Sequence, residues 1–194
     1  MLRDMDASVL AALAKWPNVP DVYGWLSLTA RGEWRLRGEA IGNDAIRAFI
    51  GRNYACDDAG RWFFQNGPQR VFVSLDVAPW VLRLQAGGVI AQHGERLHQC
   101  RAAALLDGSG LVLATEAGAG LIDDRDAGAV TAAMVDAHGD ALDDNQLARA
   151  LDGGTDAFLA AARLGLAGGV VKIEQLALSQ LESRFGFVRE PCPP

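Results

Sequence analysis

Tyr23-Gly24-Trp25-Leu26-Ser27-Leu28-Thr29-Ala30-Arg31-Gly32-Glu33-Trp34-Arg35-Leu36-Arg37 carries two short runs of period two on either side of a turn. Leu26 and Leu28 alternate with Trp25 and Ser27, and Trp34 and Leu36 alternate with Arg35 and Arg37. A strand places successive side chains on opposite faces, so the stretch predicts a β-hairpin with Gly32 at positive φ. Gly38-Glu39-Ala40-Ile41-Gly42 closes it. Asn43 or Asp44 then caps a helix over 44–52 whose Ile46, Phe49 and Ile50 fall at helical spacing. Strands follow at Arg61–Phe64 and Val71–Leu75, after turns at Asp57–Gly60 and Asn66–Pro68, and Asp76–Trp80 is a bend before Val81–Leu84.

The same order returns downstream. Ala102–Leu106 and Leu111–Thr115 are strands about a tight turn at Asp107–Gly110, and Gly118 and Gly120 lead to Leu121–Asp124. Asp123 or Asp124 caps a helix over 124–137 bearing Val130, Met134 and Val135. Leu28 and Gly32 align with Leu106 and Gly110, and Val71 and Val73 with Val171 and Ile173. Asp143–Leu151 reads as an additional helix in the second half. The fold class is therefore α+β, with two similar halves, each an antiparallel hairpin or sheet with a packed helix. Residues 1–22 form an N-terminal helix with Val9, Leu10 and Leu13 on one face, ended by Pro17, and a connector. Residues 23–86 form the first domain and 87–194 the second, with the boundary at Gln85-Ala86-Gly87-Gly88.

Half of the 194 residues are hydrophobic, enough to bury a sizeable core. The net charge of -6 disfavours a nucleic-acid or anionic-membrane partner, since both need a basic field. Residues 1–85 carry ten Lys and Arg against nine Asp and Glu, whereas 86–194 carry eight against fifteen. Cys56, Cys100 and Cys192 are widely spaced, without a Cys-x-x-Cys pair, and read as free thiols in a reducing compartment. The acidic start lacks the pattern of a signal peptide and no apolar run is long enough to span a bilayer, so the expected location is the cytoplasm.

The segment from Gly24 to Trp80 resembles a family of uncharacterised, mostly proteobacterial proteins classified as a domain of unknown function. The likeness rests on Gly32-x-Trp34, Gly38-Glu39-Ala40-Ile41, the helix to Phe49, Asp58-x-Gly60-Arg61 and Val73-Ser74-Leu75-Asp76-Val77-Ala78-Pro79-Trp80. This sequence lacks the family's proline before Ile41, and its bend reads Leu75-Asp76-Val77-Ala78 where the family usually keeps two adjacent acids. The resemblance implies two similar domains in tandem, a ligand site between them and a role in signalling.

Arg35 and Arg37 are expected on one sheet face, with Trp25 and Arg47 nearby, where guanidinium groups hold an anion beside an indole. The ordinary alternative is a solvated polar sheet face. Glu116, Asp123, Asp124 and Asp126 could gather around a cation, yet helix capping explains the aspartates without one. His98 with Cys100 suggests a base and a thiol, although residues two apart on a strand share a face by geometry alone. His93 and His138 lie in no ligand pattern. No catalytic residue, metal or cofactor is assigned. The expected function is a non-enzymatic ligand-binding or sensory module, with a small anionic ligand between the halves or a protein partner. The alternatives are a metal- or thiol-dependent enzyme using Asp123 and Asp124 or Cys100 and His98, and a structural partner of another protein.

Overall fold

A computed structural model describes residues 5–86, 88–107 and 110–193. Gly87 of the expected boundary and Gly108 and Ser109 of the expected turn lie outside them. The chain divides into two compact units, one of Met1–Pro79 with Glu182–Pro194 and one of Trp80–Leu181. No helix among the described residues is long and apolar enough to cross a membrane.

In the first unit, helix α1 (Ala7–Lys15) precedes β1 (Val22–Leu28), β2 (Trp34–Leu36), β3 (Glu39–Ala40), α2 (Asp44–Arg52), β4 (Tyr54–Cys56), β5 (Trp62–Asn66) and β6 (Gln69–Leu75). The strands form one sheet in the order β3-β2-β1-β6-β5-β4. The predicted hairpin is β1–β2, with Leu28 opposite Trp34 and Gly32 at φ 77°. The sheet is mixed, because β1 and β6 run parallel, with Leu26 opposite Val73 and Leu28 opposite Leu75. Asn43 caps α2 by accepting from the Ala45 and Ile46 N–H groups, which satisfies donors that a helix start leaves open. Phe63 and Phe72, opposite each other on β5 and β6, sit in a core cluster with Ala55, Met5 and Val9. The N-terminal helix is thus part of the first unit. Val9 is buried, Leu13 packs against the cluster, and Leu10 points to solvent, a correction to the three-residue apolar face.

The second unit opens with a meander, β7 (Trp80–Gln85), β8 (Gly88–Ala91) and β9 (Arg96–Leu97). It continues with β10 (Ala102–Leu106), β11 (Gly110–Thr115), β12 (Gly118–Ile122), a 3-10 turn at Asp124–Asp126 and α3 (Ala127–Ala133). Then come β13 (Met134–Val135), α4 (Asp144–Leu151), β14 (Phe158–Ala160) and β15 (Val170–Leu176). The second sheet has nine strands, and beyond the meander β9-β8-β7 its order is β12-β11-β10-β15-β14-β13, with β10 and β15 parallel. This is the order of the first sheet strand for strand, so the halves share one topology. Helix α2 and the turn with α3 hold the same place, between the third and fourth strands of each repeat.

Four details differ from the sequence reading. The boundary falls at Pro79–Trp80, because β7 pairs in parallel with β12, Val81 lying opposite Leu121, and so belongs to the second sheet. The last residues, Glu182–Pro194, return to the first unit. Leu106 pairs with Gly110 whereas Leu28 pairs with Trp34, so Gly32 and Gly110 are not counterparts even though the strands are. The second helix stops at Ala133, and Met134 and Val135 are buried in β13, since the chain must turn extended there to pair with β14. The additional helix is present as α4, where Asp143 and Gln146 form a reciprocal capping box.

Candidate functional site

Leu36 and Glu39 are paired across a loop of two residues, Arg37 and Gly38, with φ of 51° and 87°. Two consecutive positive φ values make a type I′ turn, whose twist matches that of the flanking strands. An L-residue with a side chain pays about 1–2 kcal/mol to enter the left-handed region, and turns of this type favour Asn or Gly at the first position. Arg37 therefore occupies a site its own backbone disfavours. What holds it is Trp25: the Arg37 N–H donates to the Trp25 carbonyl at 2.7 Å, and the guanidinium carbon lies 3.8 Å from the indole ring centre. Such stacking contributes about 0.5–1 kcal/mol at an exposed site.

Trp25 is itself aimed by an irregularity. The β1–β6 register shifts between Val22 and Leu26, and Gly24 has φ 71° within the shifted stretch. A local break of this kind re-aims the side chains beside it. Trp25 is 47% exposed, and Leu36, next to Arg37, is 48% exposed. Among the described residues Arg37 has no carboxylate partner, and its guanidinium sits over the indole ring.

Trp25 and Arg37 are brought together as expected, but not by strand alternation, since Arg37 lies beyond the end of β2 in the turn. Arg35 lies opposite Ser27, and its Nε donates to Glu33 at 2.8 Å, so that guanidinium already holds a carboxylate. Arg47 is paired with Asp44 one turn earlier on α2, and no polar contact joins it to Trp25 or Arg37. The pair was legible as Leu36-Arg37-Gly38-Glu39, a two-residue hairpin loop with glycine second.

In the second unit, Asp123, Asp126, Glu116 and Cys100 each make local hydrogen bonds. Asp123, with a fully buried side chain, accepts from the Arg125 N–H at 2.9 Å, from Nε at 2.8 Å and from Nη2 at 2.5 Å, capping the 3-10 turn. These contacts hold its carboxyl well below the usual carboxylate range. Asp126 accepts from Arg83 Nε at 2.8 Å and from the Leu84 N–H at 2.9 Å. Glu116 accepts from the His98 and Gln99 N–H groups. His98 is exposed while Cys100 is buried, so the chain does not turn them toward each other. Burial pushes the Cys100 thiol up to about 11, which leaves it protonated and unreactive at neutral pH. Iodoacetamide is accordingly expected to label the exposed Cys192 far faster than Cys100, followed by peptide mass spectrometry.

A family model described as a protein of unknown function (DUF2946) matches residues 5–192. The chain belongs to this family. The match covers both repeats of this chain. A DUF1285 family protein from Silicibacter pomeroyi DSS-3 has a crystal structure similar over 92% of this chain and 94% of its own, with a TM-score of 0.50 and 15% identity. One from Shewanella baltica OS155 is matched over 53% of this chain and 86% of its own, with a TM-score of 0.41 and 20% identity. At that identity the Silicibacter likeness concerns fold alone. No curated protein matches the sequence.

Proposed function

We propose that the protein is a non-enzymatic binding module, of the kind used in sensing, whose first unit takes a small anionic ligand at the Trp25–Arg37 platform. The observation that carries this reading is a guanidinium placed over an exposed indole, from a left-handed backbone position, without a carboxylate partner among the described residues. A planar guanidinium offers parallel N–H donors that match the two oxygens of a carboxylate or phosphate. Because contact with the indole already restrains the side chain, less rotamer entropy is lost on binding. Backbone outliers kept at a surface commonly mark a functional constraint. Leu36 adds apolar surface beside the donor edge.

The reading is tested by titrating the full-length protein with inorganic phosphate, citrate and adenosine monophosphate while following the Trp25 indole N–H signal by NMR. Saturable shifts of Trp25 with at least one of these anions, absent with a neutral sugar, are expected. No shift with any of the three would refute it.

A further inference from the structure

The duplication allows one half to be compared with the other at a place where they differ. In the first unit the pairing of β5 with β6 runs to Phe63 opposite Phe72. Beyond that pair lies a wedge bounded by Gly60 and Arg61 on one side and the end of β6 on the other. The C-terminal tail fills it, bridging at Val188 and bending at Arg189 and Glu190. Val188 bridges Arg61 in parallel and its N–H donates to the Gly60 carbonyl at 2.9 Å, while the Leu75 N–H donates to the Arg189 carbonyl at 2.9 Å. Phe187 is buried, and Glu182 Oε1 accepts from the Arg189 N–H at 2.7 Å.

In the second unit the equivalent strands, β14 and β15, are paired as far as Phe158 opposite Lys172, and the Ile173 N–H donates to the Ala157 carbonyl at 2.8 Å. There the corresponding wedge is an open groove of about 580 Å³ between Gly153–Asp156 and Lys172–Leu176. Its walls are built in advance. Helix α4 ends in a Schellman motif, with the Gly153 N–H donating to Ala150 and the Gly154 N–H to Arg149, and Gly153 at φ 72°. Gln175 Nε2 donates to the Ala150 carbonyl at 2.9 Å, tying β15 to the end of that helix. Since N–H groups alternate sides along a strand, the Gln175 N–H points the same way as that of Ile173, into the groove, as Leu75 points at the tail.

We infer that this groove receives an extended basic segment of a partner protein, which adds along the end of β15 as the tail adds along β6. Main-chain bonds supply affinity in strand addition, and flanking side chains supply selectivity. The walls carry the carboxylates of Asp156 and Glu174 against the one ammonium of Lys172. Lys172 and Asp156 meet at 3.0 Å, both more than half exposed, and a pair so exposed is readily exchanged for a new partner. Residues 86–194 as a whole carry eight basic against fifteen acidic residues, which favours a segment bearing Lys or Arg.

The test is selection of random linear peptides displayed on phage against the full-length protein, with the best peptide then measured by fluorescence anisotropy and amide NMR. Enriched peptides are expected to be rich in Lys or Arg. Their binding should shift the amides of 153–156 and 172–176 and slow hydrogen exchange at Gln175. Thr155→Trp, at an exposed groove position, and Asp156→Lys should each weaken it by about tenfold or more, whereas Trp25→Ala should leave it unchanged. Recovery of no peptide, shifts confined to other residues, or undiminished binding to both groove variants would overturn the inference. Because the Trp25–Arg37 platform shares no residue with the groove, either site can fail without the other.

Discussion

Gly60→Ala is expected to destabilise the first unit by roughly 3 kcal/mol. Gly60 has φ 78°, and a Cβ there would lie 2.7 Å from the Gly186 carbonyl oxygen and 3.1 Å from the Phe187 Cα. The left-handed backbone alone costs an alanine about 1–2 kcal/mol. The remainder comes from displacing the tail, whose Val188 N–H is bonded to the Gly60 carbonyl and whose Phe187 is buried. Gly38→Ala separates the two contributions, since Gly38 has φ 87° but open space around its would-be Cβ. Urea unfolding should therefore show Gly38→Ala losing only the backbone share. Equal losses for the two variants would mean that the tail is not held against the Gly60 turn.

Asp123→Ala is expected to cost about 2–3 kcal/mol, because it removes a cap together with the buried carboxylate that the Arg125 N–H and guanidinium share, and leaves a void in its place. The cost stays below that of breaking a fully buried pair, as Arg125 is 60% exposed and its charge can return to water. The pH dependence follows from the direction of the shift. Arg125 depresses the Asp123 carboxyl in the folded state, so its contribution is complete above an unfolded aspartate's ordinary value of about 4. It is lost as pH falls from there toward the folded value. Asp123→Asn should accordingly flatten the acid side of the stability profile. A profile unchanged from the wild type would contradict the assignment of Asp123 to Arg125.

The local grammar of the chain was legible from residues alone. Gly32 in its turn, Asn43 and Asp123 as caps and Asp143–Leu151 as an added helix follow from short-range chemistry. Pairing at long range was not. The alternation Val71, Val73, Leu75 is the same whether the neighbour is parallel or antiparallel, so the parallel closure of β6 on β1 had no local signature. Trp80–Gln85 was readable as a strand, but its sheet is set by β12, where Gly120 has no Cβ to meet Leu82, which would otherwise be 2.6 Å away. The Gly87 region looked like a boundary because glycine marks turns and linkers alike. For the candidate site, Trp25 and Arg37 were found by residue type, while the turn that joins them departs from the strand alternation used to find them.

Arg37 is the residue on which the functional reading stands, and Arg37→Gly separates the chemistry of its side chain from the needs of its turn. Glycine suits the left-handed position better, so the strain of about 1–2 kcal/mol is relieved while stacking worth about 0.5–1 kcal/mol is lost. The most direct measurement is the anion titration at the Trp25 indole signal, run on wild type and Arg37→Gly alongside their thermal unfolding. A binding module predicts that the variant unfolds at the same temperature or higher and that its anion response falls by about tenfold or more. A variant that unfolds several degrees lower, set against a wild type that shows no response to any anion, would make Arg37 a structural residue and contradict the account.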